Sequence, residues 1–150
     1  MITEVQYRAV AEFRYLIRRF VAFSEDAARD AGVEPRQHQL LLALKGLPAG
    51  SRPTIGMLAE RVHLRHHSVV ELTDRLVARG LVTRRRNERD RREVLLVITA
   101  RGERLLRRLM LVHRAELRAT GPSLVKALGE LLDAKATRPR TRAPAHRTAR

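Results

Sequence analysis

The chain has 150 residues, enough for one domain with a real core. It contains 31 Lys and Arg against 16 Asp and Glu, a formal net charge of +15, and only Lys45, Lys126 and Lys135 of those 31 are lysines. The lack of cysteine excludes disulfides, thiolate–metal sites and cysteine redox chemistry, whereas the positive excess calls for a polyanionic partner: DNA, RNA or an anionic membrane.

The opening stretch, MITEVQYRAVAEFRYLIRRF, mixes charges through its apolar residues and lacks a signal-peptide core. No apolar run approaches the roughly 18 residues of a membrane span, so a soluble, cytoplasmic protein is expected. From Thr3 to about Arg29, Val10, Phe13, Ile17, Phe20, Val21 and Ala27 recur near the helical period. Gly32 ends this helix, and Pro35 suits the first turn of a second one running to Lys45. Glycine and proline make residues 46–53 a loop, in which three residues are expected to form a short strand.

Thr54 is the expected N-cap of a helix over 55–62, with His63 and Leu64 turning the chain into another helix over 66–79 that Gly80 stops. Val69, Leu72, Leu76 and Val77 form its inward face. Leu81 to Arg86 and Val94 to Ile98 read as paired strands around a polar tip, Asn87 to Arg92. Thr99 caps a long helix to about Arg118. Gly121-Pro122 is expected to break it before a final amphipathic helix from Pro122 to about Asp133. Residues 135–150, KATRPRTRAPAHRTAR, have no acid and no large apolar side chain, and are expected to be a disordered basic tail. The tail is read either as solvated chain or as an accessory phosphate tether.

The fold class is therefore mainly α: a winged helix-turn-helix with a two-stranded β wing, flanked by N- and C-terminal helices. Two short helices followed by a basic ribbon make a shape for gripping duplex DNA, one helix in the major groove and the ribbon beside it. The order of these elements, with GLVTR, the DRR at Asp90-Arg91-Arg92, and ITARGERLL, resembles the MarR (multiple antibiotic resistance regulator) family from about residue 5 to residue 133. That resemblance implies a dimeric winged-helix transcription factor, commonly a repressor relieved by a small phenolic or other lipophilic ligand. Residues 1–134 then form one domain, with dimerisation helices at about 1–30 and 100–134 around a DNA-binding part at about 35–99. The terminal helices have apolar faces but little winged core to cover. A second copy would bury those faces through a C2 interface, the alternative being that they fold back on their own domain.

The residues expected to touch DNA follow from this frame. Arg65, His66, His67 and Ser68 open the second motif helix, with Glu71 and Arg75 one and two turns on. Arginine can read guanine bidentately; Ser68 is alternatively a cap, and Arg75 a surface charge paired with Asp74 or Glu71. On the ribbon, Arg84, Arg85, Arg86, Arg89, Arg91 and Arg92 stand among Glu88, Asp90 and Glu93. By the family resemblance Arg92 enters the minor groove and Asp90 holds it by a charge-assisted bond; the alternative is a solvated hairpin whose charges pair with each other.

An effector pocket is expected between the dimer helices and the winged part, with Tyr7, Phe13, Arg14, Tyr15, Arg18, Phe20 and His38 as candidate lining residues for an anionic aromatic compound. The same aromatics equally suit core positions. No metal and no cofactor are expected: His63, His66 and His67 are close in sequence but straddle a turn with a DNA-binding use. A metal-responsive regulator and a sequence-tolerant architectural DNA-binding protein are the rival readings. No catalytic signature occurs, neither G-x-S-x-G, nor a phosphate loop, nor H-E-x-x-H, and an enzyme is not expected.

Overall fold

In the computed structural model, residues 3–133 are described. The expected basic tail lies outside them. The element order is α1 (Glu4–Asp30), α2 (Pro35–Lys45), α3 (Ile55–Val62), α4 (His66–Ala78), β1 (Val82–Arg86), β2 (Val94–Ile98) and α5 (Ala100–Asp133). Among the described residues no helix is long and apolar enough to cross a membrane.

Local chemistry sets most of the boundaries. Thr3 opens α1 with a capping box shared with Gln6. Pro35 occupies the first turn of α2. Thr54 Oγ1 accepts from the Met57 amide at 3.2 Å and starts α3. Gly32 and Gly80 have φ of 76° and 65°, the left-handed conformation that lets the chain leave α1 and α4. His63 closes α3 in the same region at φ 52°, an uncommon place for a side chain with a Cβ.

The core is aliphatic. Leu40 and Leu41 of α2, Leu58 of α3, Val69 and Leu76 of α4, Val82 and Leu96 of the ribbon and Leu109 of α5 are all buried. Val69, Leu72 and Leu76 face inward as the periodicity requires, and Thr73 joins them, its Oγ1 donating to the Val69 carbonyl at 2.7 Å. The antiparallel ribbon pairs Val82 with Ile98 and Arg86 with Val94.

Two expectations are corrected. Residues 46–53 contain no strand; a single bond from the Leu96 amide to the Pro53 carbonyl, 2.9 Å, fastens the loop to β2. The break at Gly121-Pro122 does not occur either, because α5 continues through Pro122 to Asp133. Proline removes one helical N–H, but Arg118 and Pro122 both face solvent, where water can satisfy the orphaned carbonyl. The long helix is thus one rod, packed along α1, with Ala9, Leu16 and Ala127 buried.

The wing is anchored to this rod through Thr99 and Gly102. Thr99 Oγ1 donates to the Gly80 carbonyl at 2.7 Å and accepts from the Gly102 amide at 3.1 Å. A Cβ on Gly102 would overlap the Leu81 carbonyl oxygen and lie 2.7 Å from Ile98 Cγ2. Only glycine lets the wing base sit this close to α5.

Candidate nucleic-acid interface

The first turn of α4 is open. Its N-cap, Arg65, makes no side-chain cap bond, and Arg65, His66 and His67 are exposed. Ser68, half-buried in the first turn, is therefore not the cap. Amide groups in such a turn have no intrahelical partner and favour an anion. Glu71 and Arg75 continue the exposed face, opposite buried Val69, Leu72 and Leu76. The open paired alternative for Arg75 is not seen: among the described residues it makes no ion pair, and Asp74 pairs instead with Arg84 at 2.5 Å.

That last contact places the wing relative to the helix. Alternation along β1 puts Arg84 on the face that also carries Val82, paired across the ribbon with buried Leu96. From there it reaches Asp74 on α4. Arg84 is thus a brace between helix and wing as well as a basic side chain.

Beyond it the tip is built by side-chain-to-backbone bonds. Asn87 Oδ1 accepts from the Arg89 amide at 3.0 Å, and Asn87 Nδ2 donates to Glu93. Glu93, mostly buried, also pairs with Arg52 of the preceding loop at 3.0 Å. Asp90 Oδ1 accepts from the Arg92 backbone amide at 3.0 Å. This corrects the expected contact with the Arg92 guanidinium: a side chain so short in a tight turn reaches the amide two residues on, an Asx turn.

The charges of the tip accordingly do not cancel one another. Arg85, Arg86, Arg89, Arg91 and Arg92 are exposed and, among the described residues, form no ion pair. The roles of Asn87, Glu93 and Arg52 were not visible in the sequence, since polar residues in a charged loop give no periodic signal; only the turn tendency of Asn87 and Asp90 hinted at them.

His63, His66 and His67 do not converge: among the described residues no three His, Asp or Glu side chains form a group able to hold a metal. His63 closes α3, while His66 and His67 open α4.

Two separate regions hold the expected pocket residues. Tyr7, Arg14, Tyr15 and Arg18 lie along one open face of α1, and Phe13 is half-buried on the same helix. Phe20 and His38, by contrast, line a cavity of about 460 Å³ between α1, α2 and α5. Ser24, Lys45, Glu103, Arg107, Met110 and His113 are among its other walls. Their convergence depends on helix packing, which no local pattern announces.

Inside this cavity the imidazoles of His38 and His113 are 5.1 Å apart between centroids. His113 is held at both nitrogens: Nδ1 lies 2.6 Å from the Leu109 carbonyl oxygen, to which it donates, and Nε2 lies 2.6 Å from Ser24 Oγ. Burial holds His38 below the ordinary histidine range, and the neighbouring His113 adds to the effect. Lys45 and Glu103 form a 2.6 Å ion pair across the cavity rim, linking α2 to α5.

Comparison with known proteins agrees with this architecture. The MarR family model matches residues 31–93. An uncharacterised HTH-type transcriptional regulator of Bacillus subtilis, YcgE, is 35% identical over 95 residues, which cover 63% of this chain and 60% of that protein. The chain thus spans less than two thirds of that relative's length. AbsC, a MarR family transcriptional regulator from Streptomyces coelicolor, has a similar fold at a TM-score of 0.70, with 23% identity over 90% of this chain and 91% of that one. A variant of S. aureus MepR bound to an oligodeoxyribonucleotide shares the fold at a TM-score of 0.61, with 17% identity over 83% of this chain and 89% of that one. Both structural likenesses extend past the matched segment into the long terminal helices. Residues 31–93 are thus similar to the MarR family model, and the winged core, the wing braced on α4 and the rod-like α5 give this chain the fold of those solved MarR-type structures.

Proposed function

We propose that this protein is a sequence-specific DNA-binding transcriptional regulator that acts as a homodimer on a pseudo-palindromic operator, as a ligand-responsive repressor. One observation carries the reading: five exposed wing arginines, without ion pairs among the described residues, stand beside an uncapped, exposed first turn of α4. Cations left unpaired by their own fold are available to phosphates. In this reading Arg65, His66, His67, Ser68, Glu71 and Arg75 face the major groove. Arg86, Arg89, Arg91 and Arg92 flank it from the wing, Arg92 entering the minor groove, while Arg84 and Asp90 hold the wing's shape.

The homodimer is supported by what the terminal helices leave uncovered. Val5, Tyr7 and Val10 on α1 and Val125, Leu128 and Leu132 on α5 are exposed, with Val125 at 71%. Large apolar residues exposed in such number favour burial against a second copy. Two-fold symmetry then sets the two α4 helices about one turn of DNA apart.

The effector site in this reading is the cavity between α1, α2 and α5. Phe20, Leu106 and Met110 give it apolar walls, while Arg107 adds positive charge beyond the Lys45–Glu103 pair, a combination suited to an anionic aromatic compound. Because α2 packs on α3 and α4, a ligand that spreads α2 from α5 would shift the recognition helices. A coupling of about 1–3 kcal/mol is enough for a useful switch.

The experiment is a fluorescence-anisotropy titration on DNA from the protein's own upstream intergenic region, against a shuffled duplex of equal length at fixed salt. The reading requires a preference of roughly 10³ or more for the natural duplex. Equal affinity for both, across several flanking regions, would make the protein an architectural DNA binder instead.

A further inference from the structure

Arg101, Arg104 and Arg108 of α5 take no part in the DNA surface described above. Spaced at i, i+3 and i+7 they share one face of the helix. With Arg79, the C-cap of α4, they line a cleft of about 430 Å³ whose remaining walls are Ala31, Leu81 and Leu105. No carboxylate belongs to this lining. Glu103 points from another face of α5 and is engaged by Lys45. Asp26 and Asp30 line an adjoining hollow that shares Ala31 and Arg108, and Asp26 pairs with Arg29 at 2.9 Å.

Two of the four arginines are fixed in place. Arg79 donates through Nη1 to Gln37 Oε1 at 3.1 Å and through Nη2 to the Gly32 carbonyl. Arg108 Nη2 donates to the Ala31 carbonyl at 3.3 Å. These bonds fasten the turn after α1, but they neutralise no charge, and each guanidinium has five N–H donors. Arg101 and Arg104 are exposed and make no ion pair among the described residues. Arg101 also sits in the first turn of α5, the end of a helix that disfavours a cation. Four guanidinium groups gathered without a carboxylate repel one another, and an anion between them would relieve that repulsion.

The cleft is remote from the ends that would meet DNA. It lies at the C-terminal end of α4, whose 13 residues put it roughly 20 Å from the open first turn at the helical rise. It also lies at the base of the wing, about 17 Å along a five-residue strand from the tip. We propose that this cleft is a second ligand site, which binds a small compound through a diphosphate group. Planar guanidinium forks take phosphoryl oxygens in bidentate pairs. Four positive charges exceed what one phosphate group offers and suit two joined ones.

The test is calorimetric titration of the full chain with inorganic pyrophosphate, with ADP, and with a short duplex of random sequence, all at one ionic strength. The wild type is expected to bind pyrophosphate saturably, one per subunit. R101Q/R104Q, altered at two exposed positions, should bind it at least tenfold more weakly with an unchanged circular dichroism spectrum. R91Q/R92Q, altered at the wing tip, should bind pyrophosphate as the wild type does. Tighter binding of ADP than of pyrophosphate, lost in the same cleft variant, would support the site and identify its source as a nucleotide. Absence of saturable pyrophosphate binding, or equal weakening in both variants, would overturn the proposal. So would a cleft variant that loses affinity for the duplex alone, because the arginines would then be DNA phosphate contacts.

Discussion

Asp90 fixes Arg92 through its backbone: the carboxylate accepts from the Arg92 amide at 3.0 Å and leaves the guanidinium free. An asparagine can make the same turn, but an alanine cannot. Asp90→Asn is therefore expected to bind operator DNA at least as tightly as the wild type, having lost one negative charge near phosphates. Asp90→Ala loses the same charge and also the turn, and should bind about 3- to 10-fold more weakly than the Asn variant, the worth of one hydrogen bond. Anisotropy titrations of the two variants side by side check this. Equal affinities would show that the carboxylate does not shape the tip.

Arg92→Ala removes the side chain at the end of this arrangement. Operator affinity should fall by roughly 1–3 kcal/mol, the range of a specific groove contact. Helix content and subunit association should not change, since Arg92 is exposed and, among the described residues, makes no ion pair. Retained affinity would remove Arg92 from the minor groove.

Gly102 is the point where helix propensity and packing oppose each other. Alanine is the better helix former by about 1 kcal/mol, yet its Cβ would overlap the Leu81 carbonyl oxygen and Ile98 Cγ2. The overlap should win, because one partner is backbone. Gly102→Ala is expected to destabilise the fold by about 1–3 kcal/mol, read as a lower urea midpoint, and to loosen the wing on α5.

Burial lowers the pKa of His38, with His113 contributing, so the fold favours the neutral imidazole. Its contribution to stability is complete above the ordinary histidine pKa of about 6.5. It is lost as pH falls below that value and through the lower one held in the fold, because the unfolded chain takes up the proton first. Urea midpoints at pH 8 and pH 5.5 should therefore differ more for the wild type than for His38→Leu. An equal drop in both proteins would show that His38 does not couple folding to protons in this range.

The exposed apolar ends of α1 and α5 give the dimer its own test. Val125→Glu combined with Leu132→Glu places two charges on side chains exposed at 71% and 65% in the single chain. The substitutions should leave the winged core intact, convert a sedimenting dimer to monomer, and weaken binding to a full operator far more than to a half-site. An unchanged sedimentation coefficient would mean that these helix ends are not the interface.

How far the sequence was legible depended on the range of the interactions involved. Caps and turns such as Thr54, Pro35, Gly80 and Thr99 act on their neighbours, so the elements they bound fall where local patterns put them. Pro122 misled because its local cost is small on a solvent-facing side of a helix that packing along α1 keeps continuous. The exposure of α4's first turn and of the wing tip was legible, since it follows from the fold. The partners of Asp90 and Arg84 were not, because which acceptor a charged side chain finds depends on distances of an ångström or two. The cavity was the least legible feature: Phe20 and His38 were on the right helices, but Ser24, Lys45, Glu103 and His113 meet them only through three-helix packing.

In the proposed mode of action two copies read DNA together, each with α4 in a major groove and a wing in the flanking minor groove. Hydroxyl-radical footprinting on the upstream intergenic DNA tests it most directly, because the cleavage reports minor-groove access nucleotide by nucleotide. A two-fold-symmetric pattern is expected, with half-sites about one helical turn apart and outer minor-groove protections that disappear in Arg92→Ala. Uniform protection along the duplex, or outer protections that persist in Arg92→Ala, would contradict it.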